Sequence, residues 1–573
     1  MEKRFLLAIV LSFFILFLYQ SYMEKQQKQW RQEHPPSETP AQTSVPSAER
    51  PGATPSTEMA RRSPGATETP SPPVLLPAAD QGALLPCEEV VVESPLYRAV
   101  FCSHSGQLMS FKLKNYRVGE KCWCKVPGLS LFLGAPKGQL QEKADDLIER
   151  IHIKNPSELP LGLEVIGEGF RNPITALYKP DRSYLDLTQE AKQGRISFVG
   201  ETSIGKTIRR TYTFSPDSYL IHLLVEIEDV RPEFQDLSLG LLLSERHAED
   251  NKDRYSFSGF MGFINGSLVK EEPKKITKDS VKYHAGEVAW AGFSDKYFLT
   301  GILPINNPVT SVKVERAKDD LLVSSFTYTF RPHLDGTQAL FEYNLFIGPK
   351  DLDVLKKSGY TLERSMDLGW FSPLAKPLLL ILKFFNRYTH NYGIAIILLT
   401  ILIKILFHPL TRKQYKSMKE LQKLQPKMQA IREKFKNDRD KLNKEVMDLY
   451  RTHKINPVGG CWPMLLQIPV FFALYKALLN SIELRHAPFF LWIQDLSEKD
   501  PCYITPIVMG LTMFLQQKMT PAAGDPTQQK MMMFMPLIFT VMFLNFPSGL
   551  VVYWLVNNVI SIGQQYFSQK EGK

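Results

Sequence analysis

Tyr392-Gly-Ile-Ala-Ile-Ile-Leu-Leu-Thr-Ile-Leu-Ile-Lys-Ile-Leu-Phe407 is the stretch on which the reading of the chain turns. As a helix it extends about 24 Å, and an apolar run of this kind, closed by His408-Pro409 and a basic segment, reads as a membrane span. Lys404 stands inside it. A lysine at the centre of a span costs about 2.5 to 3.5 kcal/mol on insertion scales, so one reading is a functional cation facing protein or a water-filled cavity. The other is a snorkelling side chain, because Lys404 lies only five residues, about 7.5 Å of helix, before Pro409.

Downstream the charges fix an orientation. Between Thr411 and Lys454 stand fourteen Lys or Arg against six Asp or Glu, so the positive-inside rule places this loop in the cytoplasm. Met418, Leu421, Leu424, Met428, Ile431 and Phe435 on one side of Asn437-Asp438, and Leu442, Val446, Leu449 and Tyr450 on the other, predict two amphipathic helices in a cytoplasmic hairpin over 411–456. Its basic residues, among them Arg412, Lys413, Lys416, Lys427, Arg432 and Lys434, suit anionic lipid, ribosomal RNA or an acidic partner, or serve only to orient the loop. Further apolar runs predict spans at 457–482, 502–519, 529–546 and 548–568, beside 391–410.

Upstream, 365–390 reads as an amphipathic helix lying at the outer interface, with Lys376 and Lys383 beside Leu378, Leu379, Leu380 and Phe384. Residues 87–350 alternate in short apolar runs, such as Ser218 to Ile227 and Leu322 to Phe330, and predict an extracytoplasmic antiparallel β-sandwich. Residues 25–86, rich in Pro, Ser and Thr, predict a disordered linker. Residues 1–24 carry Lys3 and Arg4 before an apolar run and read as an uncleaved anchor, with a cleaved signal peptide as the alternative. The fold class is therefore a multidomain membrane protein: an α-helical bundle of six spans, five of them forming its core, with a large β domain outside and a helical hairpin inside. The mean hydropathy of −0.17 and net charge of +10 over 573 residues average over these unlike parts.

Cys87, Cys102, Cys122 and Cys124 fall in the exported domain, where disulfides are permitted in any of three complete pairings. Cys461 and Cys502, near span ends, read as packing residues. Cys122-Trp-Cys124 has neither redox nor zinc spacing, and no metal or cofactor is expected. Gly200-Glu-Thr-Ser-Ile-Gly-Lys-Thr207 matches the phosphate-binding P-loop letter for letter. That motif works only where a helix starts at its Lys-Thr, and Ile208-Arg-Arg-Thr-Tyr-Thr-Phe214 instead continues as a strand, so a β-hairpin is expected.

Within the spans, Thr400 and Lys404 share a helix face, and Tyr553, Asn557, Ser561 and Gln564 make a second polar stripe. Gln467 and Gln517 add polar groups to two other spans. Such faces need partners or water in lipid, and predict either a hydrated groove or interhelical hydrogen bonds that hold the bundle. A secondary transporter also places polar groups at mid-membrane, but this chain has no inverted repeat and few acidic residues in its spans. A carbohydrate-processing β domain would need paired carboxylates in a cleft.

Asn391-Tyr-Gly-Ile-Ala-Ile-Ile-Leu-Leu-Thr400, His408-Pro-Leu-Thr411, Leu424-Gln-Pro-Lys427, Asn456-Pro-Val-Gly-Gly-Cys461, Gln467-Ile-Pro469, Phe534-Met-Pro536 and Phe546-Pro-Ser-Gly-Leu550 resemble the YidC/Oxa1/Alb3 insertase family. Trp290-Ala-Gly-Phe-Ser-Asp-Lys-Tyr-Phe298 and Tyr343-Asn-Leu-Phe-Ile-Gly-Pro349 resemble the periplasmic domain of its Gram-negative members. The resemblance implies an inner-membrane insertase without covalent chemistry or cofactor, with both termini cytoplasmic and the β domain periplasmic. It would move segments of nascent membrane proteins into the bilayer, alone or with the Sec translocon, and assist their folding. Ribosomes and lipids would be partners, and no specific nucleic acid. Lys404 falls where the family has a groove arginine, which keeps the charge and loses the planar fork. Thr400, Gln467, Gln517, Tyr553, Trp554, Asn557 and Ser561 would line the groove, with Tyr553 and Trp554 offering a sliding surface.

Overall fold

In the strand Leu220–Glu228 every second side chain is buried, with Ile221, Leu223 and Val225 fully so, the period-two pattern of a half-buried strand. This strand lies near the middle of an antiparallel nine-stranded sheet, between Gln338–Pro349 and Thr207–Phe214. A six-stranded antiparallel sheet includes Ser238–Arg246 and Leu321–Thr329. A five-stranded sheet carries Tyr97–Cys102 at its centre and departs from the antiparallel expectation once, where Glu89–Glu93 runs parallel to Tyr184–Asp186. Phe101 from this sheet meets Tyr212 of the nine-stranded sheet at 4.7 Å between ring centroids, so an aromatic core holds the two together.

The computed structural model describes residues 87–118 and 147–570, apart from 154, 168–169, 189–191, 203–205, 229–237, 247–255, 278–280, 306–310, 319–320, 330–337, 437, 454–461 and 521–525. The anchor over 1–24, the linker over 25–86 and Cys122 and Cys124 lie outside the described residues. Cys87 is bonded to Cys102, with Cα atoms 5.2 Å apart, which clamps the start of the first strand to its neighbour. Cys502 is disulfide-bonded, not the packing thiol expected from sequence. The P-loop match is a hairpin: Gly194–Thr202 and Thr207–Phe214 pair antiparallel, and the Lys206 N–H donates to Thr202 Oγ1 at 3.0 Å.

Helices follow the last strand: α1 (Leu352–Ser358), α2 (Ser372–Thr389), α3 (Tyr392–Lys434), α4 (Arg439–Thr452), α5 (Trp462–Asn480), α6 (Ile504–Met519), α7 (Pro526–Phe543) and α8 (Ser548–Lys570). Asp351 caps α1 by accepting from the Asp353 and Val354 amides, and Asn391 caps α3 by accepting from Ile394 N at 3.1 Å. Between α2 and α3, His390 takes a left-handed φ of 50°, which turns the chain back so that the two helices pack. Among the described residues only α3 is long and apolar enough to cross a membrane by length and composition.

The structure carries helix across residues 410 and 411, between the span expected over 391–410 and the hairpin expected over 411–456. The apolar run and the first arm of the expected hairpin are one 43-residue helix that passes through Pro409 and Pro426. Each proline removes one helix hydrogen bond, but strong helix formers flank both, and Tyr415 ties the segment beyond Pro409 to α8 by donating to the Ser561 carbonyl at 3.2 Å. At the far end α4 folds back: Tyr450 Oη donates to Met428 Sδ at 3.4 Å, and Leu421, Leu424 and Met428 are buried.

Lys383 was expected at a membrane interface beside apolar neighbours. It is enclosed by carboxylates: Asp351 at 3.1 Å, Asp353 at 2.6 Å and Glu483 at 3.0 Å. Burial opposes the charge, but Glu483 first, then Asp353 and Asp351, hold the ammonium well above the usual lysine range. Asp351 and Asp353 belong to the cap and first turn of α1, directly after the last strand, whereas Glu483 belongs to the segment 481–503 between α5 and α6. Two residues on, Arg485 donates to the Arg117 carbonyl at 2.6 Å and lies over the Tyr297 and Phe298 rings. The same segment seats α8: the Ser548 and Gly549 amides donate to Glu498 and Leu496 carbonyls at 2.7 and 2.9 Å, and Ser548 Oγ donates to the Asp495 carbonyl at 2.8 Å.

Candidate functional site: a polar seam across three helices

Lys404 is 8% exposed and donates from Nζ to Ser561 Oγ at 2.6 Å. Among the described residues its ammonium has no carboxylate partner. Ser561 Oγ in turn donates to the Asn557 carbonyl one turn earlier at 2.7 Å, and Gln467 Nε2 donates to Asn557 Oδ1 at 3.2 Å. A chain of polar groups therefore runs from α3 through α8 to α5. The i, i+4 spacing of Asn557 and Ser561 puts both on one face of α8, where Lys404 from α3 and Gln467 from α5 reach them. Ser561 offers the ammonium a neutral dipole and no counter-charge.

The other expected residues divide. Thr400 is buried on the Lys404 face, but its hydroxyl donates back to the Ile396 carbonyl at 2.7 Å and takes no part in the seam. Gln517, near the end of α6, makes no side-chain hydrogen bond to the set formed by Lys404, Ser561, Asn557 and Gln467. Tyr553 and Trp554, expected as a sliding surface, sit among aromatic rings of the neighbouring helices. Tyr553 is 2% exposed and stacks near Phe471, while Trp554 is half-buried and meets the Phe471 ring edge-on at 4.7 Å and Phe543 at 5.3 Å. Large aromatic rings at the crossing of α5, α7 and α8 gain more from packing than from exposure.

Two further polar contacts escaped the sequence reading. Asn558 and Gln565, both 3% exposed, donate across to Thr512 of α6 and to Thr520, the residue that caps its end, at 3.4 and 3.5 Å. They stand seven apart, a heptad signal for a second helix contact, and they serve to hold α6 against α8. Tyr415 was also missed, because it lies beyond Pro409, where the span was expected to end. In the hairpin, Arg412, Lys413, Lys416, Lys427 and Lys434 are exposed and Arg432 is half-buried. Lys427 Nζ lies 3.3 Å from His453 Nε2, bridging α3 to the end of α4.

Comparison with known proteins places these parts. The 60Kd inner membrane protein family matches residues 384–573, which hold α3 to α8, and the YidC periplasmic domain family matches 155–381. A curated relative from Syntrophus aciditrophicus (strain SB), the membrane protein insertase YidC, is 44% identical over 577 residues and covers 100% of both chains. Its counterpart from Geotalea daltonii is 41% identical over 572 residues, covering 100% of this chain and 99% of its own. A solved structure of an active YidC insertase is 18% identical, covers 84% of this chain and 92% of its own, and superposes at a TM-score of 0.35.

Proposed function

The chain belongs to the YidC family of membrane protein insertases, and we propose that it works through the seam centred on Lys404. In this reading the seam lines a hydrated groove open to the cytoplasm and to lipid. A positively charged, polar path lowers the desolvation cost of the extracytoplasmic part of a substrate, while its apolar segment leaves into the bilayer. Lys404 attracts acidic groups of the passing chain, and Ser561, Asn557 and Gln467 supply neutral donors and acceptors in place of water. No covalent step is needed.

Around that centre the proposal has six spans: one near the N-terminus, α3, α5, α6, α7 and α8. Both chain termini and the α3–α4 hairpin face the cytoplasm, and the β domain faces the periplasm. Positive-inside charge supports the hairpin's placement, because its exposed lysines and arginines outnumber acids there. Nascent membrane proteins are the substrates, the hairpin meets ribosome or lipid headgroups, and the Sec translocon is an accessory partner. The observation that carries the groove is the buried Lys404 ammonium held by a hydroxyl instead of a carboxylate. Purified protein in proteoliposomes is expected to speed insertion of a small single-span substrate. Lys404→Ala should slow it by roughly tenfold, if one ammonium contributes ~1.4 kcal/mol to passage, and Lys404→Arg should slow it less. Equal rates for all three proteins would end the role given to Lys404.

A further inference from the structure

Within the 481–503 segment the chain makes a tight projecting turn. Phe489 N donates to the Ile493 carbonyl at 3.0 Å and Ile493 N to the Phe490 carbonyl at 3.1 Å, which leaves Phe490 and Leu491 at the tip. Leu491 has a φ of 56° and is 85% exposed, and Phe490 is 54% exposed. A large apolar side chain in water on a left-handed backbone is unfavourable on two counts. The stem is fixed: Trp492 Nε1 donates to Asp500 Oδ2 at 3.2 Å.

The tip has a defined level relative to α3. Asn391, the cap of α3, donates to the Phe489 carbonyl at 3.3 Å, and the Phe489 ring fills the space over Gly393, where an added Cβ would lie 1.9 Å from it. Phe490 and Leu491 therefore project where the apolar run of α3 begins. That run carries exposed Ile405 and Leu406 further along, and α2, which turns directly into α3, exposes Phe384 and Tyr388 with rings 5.1 Å apart. We propose that the Phe490–Leu491 tip inserts into the outer leaflet at the boundary of headgroups and acyl chains, a second anchor beside α2. Two side chains offer far less than the roughly 800 Å² that one side of a stable protein interface presents, whereas a lipid surface accepts small apolar knobs that continue an apolar belt.

The inference rests on the reading of α3 as a span, and one experiment separates the two. The full chain is reconstituted in phosphatidylcholine and phosphatidylglycerol vesicles with a nitroxide on a ketone-bearing amino acid at position 491, which leaves the disulfides untouched. Collision with oxygen is then compared with collision with a water-soluble nickel chelate. Position 406 reports the span, and position 283 on the β domain, where Tyr283 is 66% exposed, reports water. The expected result is an oxygen-to-nickel ratio at 491, and likewise at 490, several-fold above that at 283. A ratio at 491 equal to that at 283, or poor access for both reagents from contact with protein, overturns the anchor while a lipid signal at 406 keeps the span. A watery signal at 406 removes both.

Discussion

Replacing Lys383 by Met keeps most of the side-chain volume and removes the cation from between three carboxylates. Glu483 is 7% exposed and Asp351 17%, so their charges would be left nearly uncompensated, whereas Asp353, at 63%, would be solvated by water. Breaking a buried ion pair by deleting one partner costs ~3 to 5 kcal/mol, and an exposed pair contributes only ~0 to 1 kcal/mol. With Lys383 itself 20% exposed, a value just below the first range applies, and we expect a loss of about 2 to 3 kcal/mol at the joint between the β domain and the helices. Hydrogen exchange of the full chain in lipid reads this directly: amides of α1 and of 482–485 should exchange roughly 30- to 150-fold faster, while those of the central strand Leu220–Glu228 stay protected. The cause is tested by a second substitution. Adding Glu483→Gln to Lys383→Met removes a stranded charge and should restore at least half of the protection, since loss from contacting residues is not additive. If the double variant exchanges faster than Lys383→Met alone, by the product of the separate effects, the charge argument is refuted and Lys383 matters through packing.

Three other outcomes are expected. Gly393→Ala drives a methyl into the Phe489 ring and should destabilise the α3 entry by about 1 to 3 kcal/mol, seen as a lower thermal midpoint that Phe489→Ala partly recovers. Cys102→Ser opens a bond spanning 15 residues and should lower β-domain stability by about 3 kcal/mol in denaturant, with no change when the native protein is kept under reducing conditions throughout. Lys350 donates to Ser294 at 3.0 Å, and burial, only partly offset by Asp295, pushes its ammonium down to about 8. Its folded value is below its unfolded one, so the unfolded chain binds more protons between pH 8 and 10.5 and this group's destabilising contribution fades as pH rises through that window. Lys350→Met should therefore unfold at a higher temperature than the parent at pH 7, with the gap closing by pH 10; a constant gap would refute the assignment.

The sequence exposed the centre of the seam because its members obey local spacing. Asn557 and Ser561 are one turn apart, and Lys404 is conspicuous in an apolar run, so chemistry alone marked them. What it did not reveal depends on distant partners. Lys383 looks like an interfacial cation among leucines until Asp351, 32 positions earlier, and Glu483, 100 later, close around it. Tyr553 and Trp554 differ from a wet aromatic stripe only through the rings of α5 and α7. The strands were legible from alternation, but their division into three sheets and the parallel pair at Glu89–Glu93 are set by long-range register. Pro409 reads as a helix end by propensity, yet α3 runs through it and is tied to α8 beyond it by Tyr415.

The segment 481–503 meets Lys383 of α2 through Glu483, touches the β domain through Arg485, and grips the first turn of α8 at Ser548 and Gly549. Ser561 lies thirteen residues along that helix, about 20 Å from the grip. Helices resist bending, so a tilt imposed at the clamped end reaches the middle as a sideways shift of the hydroxyl on which Lys404 rests. The β domain and the seam are thus joined through one helix, clamped at its first turn and holding Lys404 near its middle.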